Sequence, residues 1–165
     1  SPVTLAPDSR VLTVTIAPLN PRAKAAPQPT LEAFDEALRE HGYQVEHLLN
    51  PDDDVLSAKV AEHDVIFLNL MVLPYMMMGT IRNLVGGIGH WRWRSLFVDH
   101  PKVLATSFGT PYVLHEMPHL PNLVAAFGNS AVSQRAAVKV WLGEIEAQGD
   151  CPVRLPKTEI RPLPC

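Results

Sequence analysis

Apolar runs and helical spacings alternate along this chain. Residues 10–17 read RVLTVTIA, a short β-branched run suited to a strand buried on both faces. Leu31, Phe34, Ala37 and Leu38 then share one face of a helix that Thr30 can cap and Gly42 stops. Residues 43–48 read as a second strand. Asn50-Pro51-Asp52-Asp53 reads as a helix start: a cap, a proline at the first helical position, then acids in the first turn. That helix runs to about residue 62, and Val65-Ile66-Phe67-Leu68-Asn69-Leu70 forms a third strand.

The second half repeats the alternation. A Met-rich loop over 71–80 precedes Ile81, Leu84, Val85, Ile88 and Trp91 at helical spacing, weakened by Gly86, Gly87 and Gly89. Residues 102–107 predict a fourth strand. Gly109-Thr110-Pro111 and a short helix to about residue 116 follow it. Residues 122–127 predict a fifth strand. Asn129-Ser130 caps a helix through about residue 142, with Val132, Ala136 and Val140 on one face. Strand and helix alternating at this spacing imply right-handed crossovers. The expected fold is α/β: a three-layer α/β/α sandwich with a mostly parallel sheet of about five or six strands in a flavodoxin-like arrangement. Residues 1–9 read as a linker, 10–156 as a single α/β domain and 157–165 as a Pro-rich tail.

Composition narrows the classes. The chain has 165 residues, one domain's worth. Hydrophobic residues are 47% and charged residues 19%, a globular balance. The formal net charge of -3 argues against a basic nucleic-acid binder. No apolar run is long enough for a membrane span, and no signal pattern opens the chain. On sequence the chain is expected to be cytoplasmic, or mature, or cut from something larger, and its localisation stays open. The 16 prolines outnumber the 9 glycines and gather at both ends, which read as extended arms. Cys151 and Cys165 lie in the Pro-rich tail. A bridge would close a loop of about 15 residues, but free thiols are the expected state.

Several strings imitate chemistry. His115-Glu116-Met117-Pro118-His119 matches H-E-x-x-H, which needs both histidines one helical turn apart. Pro118 disrupts that turn, so no zinc is expected there. Trp91-Arg92-Trp93-Arg94 mixes aromatic and basic residues, but Trp91 falls on an apolar helix face. Met76-Met77-Met78 reads as loop packing. After the first strand stands Pro18-Leu19-Asn20-Pro21-Arg22, without the glycines of a dinucleotide loop. Ser107 lies between a strand and a helix in S-F-G-T-P but lacks the G-x-S-x-G elbow. No cofactor is expected, and the residues alone imply an α/β domain without a self-sufficient active site.

Longer strings carry a resemblance. Lys102-Val103-Leu104-Ala105-Thr106-Ser107-Phe108-Gly109-Thr110-Pro111-Tyr112-Val113-Leu114, followed by Glu116-Met117-Pro118, resembles part of the C-terminal α/β domain of glycoside hydrolase family 3, in its β-N-acetylglucosaminidase branch. That branch reads S-F-G-x-P-Y-L-L and then E-F-P. Ser130-Ala131-Val132-Ser133-Gln134-Arg135-Ala136-Ala137 is similar to its S-x-x-S-Q-R-A-A stretch. Gly143-Glu144, Gly149, Pro152-Val153 and Pro156 resemble its closing string, with Cys151 where the family usually has Leu. The resemblance covers residues 64–156 well and 10–63 through element order.

The resemblance implies a parent that cleaves terminal β-linked N-acetylglucosamine with retention. Retention uses a nucleophile and an acid that later becomes the base. In this family both lie on an N-terminal β/α barrel, so the chain alone is expected to be inactive. The implied partners are that barrel and an amino-sugar ligand, with homo-oligomers allowed and no nucleic acid. Residues at the strand carboxyl ends would wall the site or dock the barrel: Asn20, Arg22, Asn69, Met71, Ser107, Phe108, Asn129, Ser130, Gln134 and Arg135. Gln134 and Arg135 are expected to anchor the loops at that edge. The alternatives are a free-standing small-ligand or sugar-binding module and a structural or dimerisation domain.

Overall fold

The computed structural model describes residues 5–17, 30–71, 102–112, 120 and 122–150. Five strands form one sheet: β1 (Arg10–Ile16), β2 (Gln44–Leu49), β3 (Val65–Leu70), β4 (Val103–Ser107) and β5 (Leu123–Ala125). Their order is β2-β1-β3-β4-β5, and every pair is parallel. This is the flavodoxin-like order, as the alternation of elements predicts. Three helices are described: α1 (Glu32–Glu40), α2 (Asp53–Glu62) and α3 (Ala131–Trp141).

The sheet is buried on both faces, which explains why its central strands are apolar almost throughout. On one face Leu12, Val14, Ile16, Ile66, Leu68 and Leu70 pack with Leu56 and Val60 of α2. On the other, Val11, Phe67, Leu104 and Phe108 pack with Leu31, Phe34 and Leu38 around α1 and with Ala137, Val138 and Trp141 of α3. Aromatic edges meet faces in this second layer. Phe34 lies 5.4 Å from Phe67 and 5.9 Å from Phe108, and Phe67 lies 6.4 Å from Trp141. Trp141 also donates its indole N–H to Thr106 Oγ1 at 2.9 Å.

The helix ends show why these elements stop where they do. Gly42 takes φ +89, and the N–H groups of Gly42 and Tyr43 close back on the carbonyls of Arg39 and Leu38. That is a Schellman ending at the glycine the sequence marks as a stop. Gly143, at φ +76, ends α3 in the same way, with N–H bonds from Gly143 and Glu144 to Val140 and Lys139. Ser130 caps α3 as expected, accepting from the N–H of Ser133 at 3.2 Å.

Three local expectations are corrected. Leu31, not Thr30, occupies the N-cap position of α1, and no local side chain caps that helix. Instead Gln134 of α3 accepts the N–H of Phe34 on its Oε1 at 3.1 Å and donates its Nε2 to the Asn129 carbonyl at 2.7 Å. For α2 the cap is Asp52, which accepts from Val55 N–H at 2.9 Å. Asn50 lies outside the helix at φ +46, with its Oδ1 accepting the Ala17 N–H at 2.9 Å. Asn tolerates that left-handed turn, and the turn aims its amide across to β1. Finally, α3 buries Gln134, Ala137, Val138 and Trp141, and leaves Val132 79% exposed. The long Trp141 ring sets the inward face and rotates Val132 away from it.

Gln134→Ala removes two hydrogen bonds at once, so it should destabilise by about 1–3 kcal/mol. Ser130→Ala should lose about 0.5–2 kcal/mol as a simple cap. Urea unfolding of both variants checks the ranking, with Gln134→Ala the lower midpoint.

Candidate functional site at the carboxyl edge of the sheet

In this strand order the connections diverge between β1 and β3, and the carboxyl ends of those strands border the crevice where parallel sheets receive ligands. Ala17, Asn50, Met71, Ser107 and Ala126 mark the strand ends. Hydrogen bonds lace the edge together. Asn50 N–H donates to the Thr15 carbonyl at 2.9 Å, Met71 N–H to Ile16 at 2.8 Å, Phe108 N–H to Leu70 at 2.9 Å and Ala126 N–H to Ser107 at 2.9 Å.

Most of the expected site residues hold this edge in shape. Ser107 donates its hydroxyl to the Thr110 carbonyl at 2.8 Å, and Thr110 Oγ1 accepts the Tyr112 N–H at 3.3 Å. The serine of S-F-G-T-P therefore closes its own turn, and Phe108 drops into the aromatic layer. Met71, Phe108 and Asn69 are buried, as are Ser107 and Gln134. Asn129 presents its carbonyl to Gln134, and Ser130 shares a hydroxyl contact of 2.9 Å with Ser133. Gln134 thus anchors the edge loop as expected. Arg135 anchors elsewhere: it bonds Glu40 at 2.6 Å and Glu36 at 3.3 Å, both on α1. These exposed pairs tie helix to helix, not helix to loop, and hold the Glu40 carboxyl below its usual range, chiefly through the Arg135 hydrogen bond. Asn20 and Arg22 lie outside the described residues, as do His115, His119, Trp91, Met76 and both cysteines.

Two polar groupings escape the sequence reading. Asp35, buried on α1, bonds His47 Nδ1, and Thr13 Oγ1 also contacts that nitrogen at 3.3 Å. Because both partners meet the same nitrogen, this is a structural clasp and not a relay. The second is a stripe of Thr15, Asn69 and Thr106, register neighbours on β1, β3 and β4. The available signal was polar residues recurring inside otherwise apolar strands.

Three possible metal ligands also meet on the β2–α2 flank. Glu46, Glu62 and His63 place ligand atoms within 4.8 Å of one another. The Lys59 ammonium already stands among them, 2.9 Å from Glu46 and 3.1 Å from Glu62. Its hydrogen bond to Glu46 lowers that carboxyl's pKa and raises its own. The cluster reads as a surface ion-pair network with its cation built in.

Comparisons with known proteins bear on the fold. No protein-family model and no curated protein matches the chain. Among solved structures, it is similar to a fungal multi-domain GH3 β-N-acetylglucosaminidase with a GCN5-related glucosamine N-acetyltransferase region. That match has 19% identity and a TM-score of 0.70, over 98% of this chain and 17% of that one. It is also similar to a glycoside hydrolase family 3 β-N-acetylglucosaminidase from Paenibacillus sp. str. FPU-7. There the values are 17% identity, TM-score 0.67, 89% of this chain and 27% of that one. A third likeness is to the β-glucoside phosphorylase BglX bound to 2FGlc, at 16% identity and TM-score 0.59, over 88% of this chain and 26% of that one. The chain therefore has the fold of a region within these longer enzymes, and spans only 17% to 27% of their lengths.

The far ends of α1 and α3 are joined by a titratable contact. His41 Nδ1 donates to the Ala37 carbonyl at 2.6 Å, and Nε2 meets Glu144 at 2.5 Å. The carbonyl bond is the largest cause raising the His41 pKa, followed by the bond to Glu144, with Glu40 adding charge attraction. A raised histidine pKa contributes stability that is complete below about pH 6.5 and is lost as pH rises through the folded value. The urea midpoint should therefore fall between pH 6 and 8. His41→Gln should remove this slope, and Glu144→Gln should only reduce it.

Proposed function

We propose that this chain is the non-catalytic C-terminal α/β domain of a glycoside hydrolase family 3 enzyme of the β-N-acetylglucosaminidase branch. On this reading residues 10–156 form the domain, and its strand carboxyl edge packs on, and walls, the active site of a catalytic barrel. The observation that carries the proposal is the fungal likeness, which takes in 98% of this chain but 17% of the longer one. Retaining hydrolysis needs a nucleophile and an acid that later becomes the base, both at the scissile bond. Among the described carboxylates, Asp52 caps a helix, Asp35 clasps His47, and Glu36 and Glu40 hold Arg135, while Glu32, Asp53 and Asp54 stand in the first turns of α1 and α2. The family resemblance assigns the chemistry to the barrel, and the N-acetylglucosaminide to the parent as substrate.

The chemistry of the edge supports docking there. Tyr112 follows β4, Phe127 follows β5, and Val132 opens α3, and all three are exposed apolar side chains. Phe127 also sits at φ +54, a strained conformation for a bulky residue. Strain kept at an exposed aromatic supports a contact made with something else.

The complete reading frame should encode a β/α barrel upstream of this chain. A frame without one refutes the proposal. The purified chain alone should not hydrolyse a chromogenic β-N-acetylglucosaminide, and activity that tracks with the protein would refute the division of labour. Phe127→Gly should raise the stability of the isolated chain by up to about 1 kcal/mol, since glycine accepts the left-handed conformation. Thermal melts check this, and a fall in melting temperature would assign Phe127 to the domain's own packing.

A further inference from the structure

The polar stripe beneath the carboxyl edge has an unmet requirement. Thr15 and Asn69 are fully buried, on adjacent strands and in register. Thr15 Oγ1 and both side-chain atoms of Asn69 have no hydrogen-bond partner among the described residues. Buried polar groups are satisfied almost without exception, and each orphan costs roughly 1–3 kcal/mol. Three orphaned atoms on one pair of neighbouring side chains therefore call for a ligand shared between them.

We propose that Thr15 and Asn69 together bind an internal water molecule below the β1–β3 crevice. A water needs two to four polar partners. The site supplies a hydroxyl, an amide oxygen and an amide nitrogen. Thr106 is the register neighbour of Asn69 on β4, and its hydroxyl already accepts from Trp141 and keeps a hydrogen to donate. Adjacent strands lie about 4.8 Å apart. Across that gap the Thr15 and Asn69 side chains make no hydrogen bond to each other, and one oxygen between them would serve both.

The apolar surroundings and the neutrality of the polar atoms favour a single water. One pleat nearer the edge on the same face stand Ala17, Met71 and Phe108, at 0%, 1% and 0% exposure. They roof the stripe with apolar groups, and Phe34 closes on Phe108 from α1. The polar atoms themselves are neutral, which suits an enclosed water better than an anion.

The test is to detect the water and then remove its partners. A high-resolution crystal structure of the chain should show ordered solvent within hydrogen-bond distance of both Thr15 Oγ1 and Asn69. Magnetic relaxation dispersion should count one long-lived water fewer in the Thr15→Val/Asn69→Leu variant, whose replacements keep shape and drop polarity. If that variant fails to fold, the wild-type density still decides. A site with no solvent peak overturns the proposal. So does an Asn69 side chain bonded directly to protein groups, or an equal count of long-lived waters in the two proteins. None of these outcomes depends on whether a barrel accompanies the chain.

Discussion

The N–H of Phe34 ends on a side-chain oxygen that lies 100 residues further along the chain. Helix α1 opens without a side-chain cap of its own; the Phe34 N–H also meets the Leu31 carbonyl at 3.1 Å, so the docked α3 reinforces a turn that the backbone closes. Gln134 makes that connection and uses its other end to hold the carbonyl of Asn129, the residue just before the cap of its own helix. One amide group thereby fixes the spacing of two helices and the path of the loop leaving β5. Phe34, positioned by this bond, supports the rings of Phe67 and Phe108. The shape of the β4 exit loop follows from where Phe108 is held.

The two ends of the α1–α3 pair are secured by different chemistry. At the carboxyl edge the link is a buried amide. Along the exposed flank it is Arg135 with Glu36 and Glu40. At the far end His41 and Glu144 meet across two glycine-terminated helices. Exposed ion pairs are screened and contribute little, so the buried amide and the aromatic layer carry the packing. The charged contacts set orientation, and the His41 pair makes it sensitive to pH.

This division is consistent with the proposal that the domain presents one edge to a partner. Its strand exits are laced by backbone bonds and by Ser107, so the edge holds its form. The apolar groups standing clear of it, Tyr112, Phe127 and Val132, take no part in the core layers. Rigid support beneath and unspent apolar surface above are the features on which the proposed docking to a second domain rests.

The order of the described elements, the parallel sheet and the flavodoxin-like class were legible in the sequence, while the helices expected over 81–91 and before residue 116 lie outside the described residues. β-branched runs buried on both faces and helices at 3.6 spacing leave few other architectures. The Ser130 cap and the Gly42 stop were legible too, because caps and stops are set by nearest neighbours in the chain. Distant contacts were not. Thr30 and Asn50 look like caps locally, but Gln134 and the Ala17 N–H offered other solutions that only the packed structure brings into reach. The inward face of α3 was misread for the same reason: Val132 fits an apolar stripe in isolation, and Trp141 wins because Thr106 and Phe67 wait for it across the sheet. Sequence spacing determines which residues share a strand or a helix. Which polar groups end up enclosed together, as Thr15, Asn69 and Thr106 do, depends on strand register, and register is decided when the two helical layers close on the sheet.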